Sequence, residues 1–151
     1  MDKDTKKEHL ASYVTLRTEK ETMEGTLSRL KSEAEMPPVK MGDGSKHTGG
    51  SGDRNERAYI RYIEYKDEHV PEIEEAKRKM QAIKNAIKGL RDPLERTVLR
   101  MRYIDCDSSR LTLFNDIAIG IFGDDEEKYV KAVRRLYDSA LEKIDLEGVE
   151  E

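Results

Sequence analysis

Apolar residues in the first part of the chain recur at mostly three- and four-residue steps. Across residues 4–33 there is no proline and only one glycine, and Leu10, Val14, Leu16, Met23, Leu27 and Leu30 trace one narrow stripe. That spacing predicts a long amphipathic helix over a first segment, 1–33. Residues 34–52 hold two prolines and five glycines and leave no periodic face to bury, so they are expected to form a flexible linker. Its glycines do not make a phosphate-binding loop, because the Lys-Ser/Thr that follows the last glycine of such a motif is missing.

A second long helix is expected over 53–91, with Asp53 as its cap and Glu56 as the capping-box partner. Ala58, Ile60, Ile63, Val70, Ile73, Met80, Ile83, Ile87 and Leu90 carry its stripe. Pro71 removes a backbone donor and crowds the preceding turn, which predicts a kink or short break near His69. Tyr59, Tyr62 and Tyr65 lie at i, i+3 and i+6 and read as the flank of a core more readily than as a base-stacking surface. Two helices with matching stripes should pair, either as an antiparallel hairpin or with a second copy of the chain.

From Asp92 the pattern changes to short helices with compact turns, defining a third segment, 92–146. Asp92-Pro93-Leu94-Glu95 is a helix start: Asp caps, Pro takes the first position and Glu closes the box. Leu94, Val98, Leu99 and Tyr103 are expected to face inward on a helix that ends near Ile104. Thr112 is the nearest cap for a second short helix bearing Leu113, Phe114, Ile117, Ala118 and Ile121, closed by Gly123 in a left-handed conformation. Asp124 and Glu127 form another expected box. The last helix runs to about Asp145 with Val130, Val133, Leu136, Tyr137, Ala140, Leu141 and Ile144 on one face, and the acidic tail, 147–151, frays together with the preceding Leu146. The expected fold class is therefore all-α: two long helices followed by a three-helix helix-turn-helix unit.

Composition sharpens this picture. Charged residues make up 40% of the 151 residues and hydrophobic ones 36%, with no Trp and two Phe, so burial must be concentrated on narrow faces. A lone cysteine, Cys106, excludes an internal disulfide framework and fits a reducing compartment. The charged N-terminus lacks a signal-peptide core, and no stretch approaches the roughly 20 apolar residues of a membrane span, so a cytoplasmic location without membrane contact is expected. Net charge is −4. Its distribution matters more than its sum: from Lys77 to Arg102 nine basic residues face two acids, a local excess that suits an anionic partner, although a solvated helix face has the same look.

Short apolar helix, glycine turn, longer helix with cations opposite its apolar face: this order is that of a helix-turn-helix, whose last helix buries one side and offers the other to the major groove. Lys128, Lys131 and Arg135 fall at i, i+3 and i+7 with Arg134 beside them, and are the candidate DNA contacts. Arg100, Arg102 and Arg110 complete the candidate set. Four acids, Asp124 to Glu127, precede them; they suit the positive end of the helix dipole but repel phosphate, so DNA contact is expected to begin after that turn.

The run LRDPLERTVLRMRYID, then NDIAIGIFG, then VKAVRRLYDSALEKI resembles the helix-turn-helix of region four of bacterial sigma factors. It resembles more closely the phage-encoded late transcription regulators of the RinA and ArpU type. The markers are the Leu99 to Tyr103 ending of the first helix, Asp116-Ile117-Ala118, and Arg135, Leu136, Ala140 and Leu141. The chain departs from the pattern in two places: Phe114 replaces a common Trp, and about five extra residues separate Ile117-Ala118 from Val133. The resemblance implies a phage or prophage transcription regulator that binds promoter DNA and contacts host RNA polymerase in the bacterial cytoplasm, with the long helices available for homodimerisation. Carried over by position, Lys131, Arg134 and Arg135 are the firmest contacts and Lys128 the least firm.

Catalytic patterns are missing from the sequence. His9, His47 and His69 lie in three different segments without metal-ligand spacing, and no nucleophile-base arrangement can be assembled, so neither an enzyme nor a metal or cofactor is expected. The rival reading is a coiled-coil interaction or assembly protein whose sigma-like end docks protein.

Overall fold

The computed structural model describes residues 1–35, 50–107 and 110–149, and these are helical apart from short connections. Five α-helices follow in order: α1 Lys3–Glu35, α2 Gly50–Lys88, α3 Pro93–Leu99, α4 Phe114–Phe122 and α5 Glu127–Lys143. A π-helical turn, Arg100–Ile104, extends α3, and a 3-10 turn, Glu147–Val149, follows α5. Most of the expected linker lies outside the described residues. Its ends, Ala34–Glu35 and 50–52, belong to the flanking helices, so Asp53 lies inside α2 instead of capping it. The helix also continues through Pro71 without the expected break. Pro71 is exposed, and water can serve the carbonyl that its missing N–H leaves free.

The two long helices pack against each other, and each contributes to two compact units: residues 19–75 form one, residues 1–18 with 76–151 the other. The early part of α1 is grouped with the late part of α2 in the larger unit, and the late part of α1 with the early part of α2 in the smaller. The 19–75 unit buries Leu30, Ala58 and Ile73. Tyr62 and Tyr65 are half-buried and Tyr59 is exposed, with the Tyr65 ring 4.1 Å from that of His69.

The larger unit is built around one continuous core. Leu10 and Tyr13 of α1, Met80, Ile83 and Ile87 of α2, Val98, Leu99 and Tyr103 after Pro93, Ile117 and Ala118 of α4, and Val133, Tyr137, Ala140 and Leu141 of α5 all meet in it. Asp92 caps α3 through its side chain, accepting from the Leu94 amide at 2.9 Å, with Pro93 in the first turn. Gly123 ends α4 with φ of 79°, the left-handed value that favours glycine. At Gly120 a Cβ would sit 2.5 Å from Met101 Cε, the end of a flexible side chain that can shift to make room.

Several local expectations are corrected. Leu94 is exposed, because Glu95 takes the inward position, where its Oε1 accepts from Ser139 Oγ at 2.5 Å and Lys143 Nζ at 3.0 Å instead of closing a capping box. Leu113, not Thr112, occupies the cap of α4, and no side chain bonds there. Glu126 precedes α5 without a side-chain cap, so the Asp124–Glu127 box does not form. Leu146, expected to fray, is fully buried.

Two cations of α1 close the ends of later helices. Arg17 donates to the carbonyls of Ile104 at 2.9 Å and Cys106 at 3.0 Å, and Lys6 Nζ donates to those of Leu141 at 2.6 Å and Glu142 at 3.2 Å. The final carbonyls of a helix have no partner within it, and the dipole there favours positive charge.

Tyr103 and Tyr137 share a buried hydroxyl contact of 2.6 Å. Burial, followed by that contact, pushes the Tyr103 phenol well above its ordinary value. A group whose proton is held more tightly in the folded state contributes fully below its unfolded pKa of about 10 and loses that contribution as pH rises further. Stability is therefore expected to decline above about pH 10, and Tyr103→Phe should flatten that decline in urea titrations between pH 8 and 11. An equal alkaline slope in parent and variant contradicts the assignment.

Candidate nucleic-acid interface

Helix α5 owes its place to strict amphipathicity. Val133, Tyr137, Ala140 and Leu141 are buried at three- and four-residue steps, while Lys128, Lys131, Arg134 and Arg135 are all exposed. The cationic stretch spans about two turns and is bounded by acids on both sides: Asp124 to Glu127 before it, Asp138 and Glu142 after it, all exposed. Neighbouring acids match two of the four cations. Lys128 Nζ is 3.7 Å from Glu126 and 4.9 Å from the Tyr129 ring centroid, and Lys131 Nζ is 3.2 Å from Glu127. Such exposed pairs contribute little and exchange readily with another anion. Neither arginine has a carboxylate partner among the described residues; Arg134 instead lies with Cζ 5.6 Å from the Phe114 ring centroid. The strongest unmatched charge on this face thus sits at Arg134 and Arg135.

The other candidates are placed differently. Arg102 is half-buried: its Nη1 donates to the Thr112 carbonyl at 2.8 Å, and its Cζ lies 4.3 Å from the Phe114 centroid and 5.3 Å from that of Tyr137. Its Nε is buried without a partner among the described residues. Arg102 therefore ties the π-helical turn to the start of α4 and is committed to the fold. Arg100 is exposed, 3.5 Å from Asp105, and Arg110 is exposed on the connection before α4. Within the basic block, Arg96 donates to the Leu90 carbonyl at 2.7 Å, and Lys84 stands 5.8 Å over the Tyr13 ring. Lys88 and Arg91 are exposed.

Sequence reasoning missed the Phe114 platform, the Glu95-Ser139-Lys143 group and the helix-closing roles of Lys6 and Arg17. Each joins residues 12 or more positions apart in the chain, and nothing in local periodicity marks such a pair. Among the described residues no cluster of His, Cys, Asp or Glu could hold a metal ion, and no helix is long and apolar enough to cross a membrane.

The larger unit defines an all-helical protein with a compact trihelical end. The chain belongs to the family described as Protein of unknown function (DUF1492), whose match covers residues 39–119, more than half its length. The matched segment takes in α2, α3, the π-helical turn and most of α4, and stops before α5. No curated protein and no solved structure matches the chain.

Proposed function

We propose that the chain is a transcription regulator that binds duplex DNA through α5, with α3 and α4 as the supporting helices of a helix-turn-helix. The observation that carries this reading is the two-sided character of α5: one face committed to the core, the other presenting Arg134 and Arg135 without carboxylate partners among the described residues. Phosphate neutralisation would supply affinity, and a few side chains near Lys131 and Arg135 would read bases. The likeness of residues 90–145 to late regulators of the RinA and ArpU type extends the reading to phage or prophage promoters in the bacterial cytoplasm, with host RNA polymerase as a partner and the long helices as a dimerisation surface.

Charge reversal at Lys131 and Arg135 is expected to abolish retention of a random-sequence duplex without unfolding the chain. The parent's affinity should fall linearly in log-log form with salt, with a slope of about −0.9 for each neutralised phosphate. A doubly reversed variant that binds as tightly as the parent at equal salt rejects the site. Sequencing of DNA captured from cells would then supply the operator.

A second reading, an assembly protein that docks a protein through the same unit, is favoured by one observation. Leu113, Ile119 and Phe122 of α4 and its cap are exposed, at 67%, 48% and 37%. It predicts no affinity for duplex DNA even at low salt.

A further inference from the structure

The Phe114 ring carries two guanidinium groups, Arg102 at 4.3 Å and Arg134 at 5.6 Å from its centroid. It sits half-buried at the first position of α4, held by an edge contact with Tyr137 at 5.1 Å. Arg102 is anchored from behind by the Thr112 carbonyl. Neither arginine takes part in an ion pair among the described residues, whereas Lys128 and Lys131 each have an acid of their own. Two cations gathered at one ring raise the local positive potential, and the ring's negative face offsets only part of it. A guanidinium resting on a ring keeps its N–H edge open, and that planar fork matches the oxygens of a phosphodiester.

We propose that Phe114 is a positioning residue that holds the Arg134 guanidinium ready for a phosphate of bound duplex DNA. This rests on the DNA-binding reading of α5. Arg135, on the same face but without such a support among the described residues, would be left to search among bases. Arg134 is then the anchor of the interface, set in place before DNA arrives, and ordering it at binding costs less.

The test uses the full chain and a fluorescent random-sequence duplex, with binding followed across a salt series. Arg134→Ala should weaken binding and reduce the salt slope by about one. Phe114→Leu should weaken binding about threefold while leaving the slope unchanged, should add nothing further in the Arg134→Ala background, and Phe114→Tyr should bind as the parent does. Arg134→Lys, which leaves the core untouched, should keep the parent slope yet lose the same factor, since an ammonium does not stack as a planar fork. Independent effects of Phe114→Leu and Arg134→Ala, or an Arg134→Lys variant as tight as the parent, overturn the positioning role alone. A parent chain that fails to bind duplex at low salt overturns the DNA reading, and this proposal falls with it.

Discussion

Deleting residues 1–18 is expected to unfold the C-terminal helices, not merely to shorten the chain. The deletion removes Leu10 and Tyr13, at 0% and 3% exposure, from the core shared by α3, α4 and α5. Side chains of this size contribute about 2 kcal/mol each when buried. It also strips the two Arg17 bonds from the carbonyls of Ile104 and Cys106, and hydrogen bonds from a charged donor contribute about 1.5–3 kcal/mol each. Together these losses approach the whole ~5–15 kcal/mol stability of a typical domain. Circular dichroism should show helix loss well beyond the segment removed, and the cooperative melt should vanish. A truncated chain that still melts cooperatively at the parent's temperature contradicts the expectation. Arg17→Met alone should lower stability by about 2 kcal/mol in urea titration, with an unchanged denaturant slope.

The pairing of Ser139→Ala with Lys143→Met should also be severe. Glu95 is 2% exposed, and Ser139 and Lys143 are its partners, both bonding Oε1, while Oε2 has none among the described residues. Removing both leaves a carboxylate buried and uncompensated, at a cost of about 3 kcal/mol; the exposure of Lys143 keeps the figure at the lower end of the range for buried pairs. Glu95→Leu in the same background should restore most of the stability, because an apolar residue of similar volume needs no partner. Equal losses with and without Glu95→Leu show that the carboxylate is not the cause.

Periodicity made the element order legible. The stripes of residues 4–33 and of α2, the Asp92-Pro93 start and the Gly123 stop all correspond to features of the structure. Caps depending on one side chain were less legible: Asp53, Thr112 and Asp124 are residue types that suit a helix start, but the backbone path decides which residue stands at the cap. Pro71 did not break α2, because whether a proline ends a helix depends on whether water can reach the freed carbonyl. The cationic face of α5 was visible from spacing alone. The inward turn of Arg102 was not, since it depends on Thr112, Phe114 and Tyr137, and the sequence gives no distance between them.

The cations of α1 that close the ends of later helices also set a timetable for folding. Lys6 and Leu141 are 135 positions apart, so this turn of α1 has to wait for the end of α5 to be synthesised before either is satisfied. Pairings across such separations raise contact order and slow the search for the native state. During synthesis the apolar stripe of the early helix is left without its final cover, a window in which chaperones or neighbouring nascent chains compete for it.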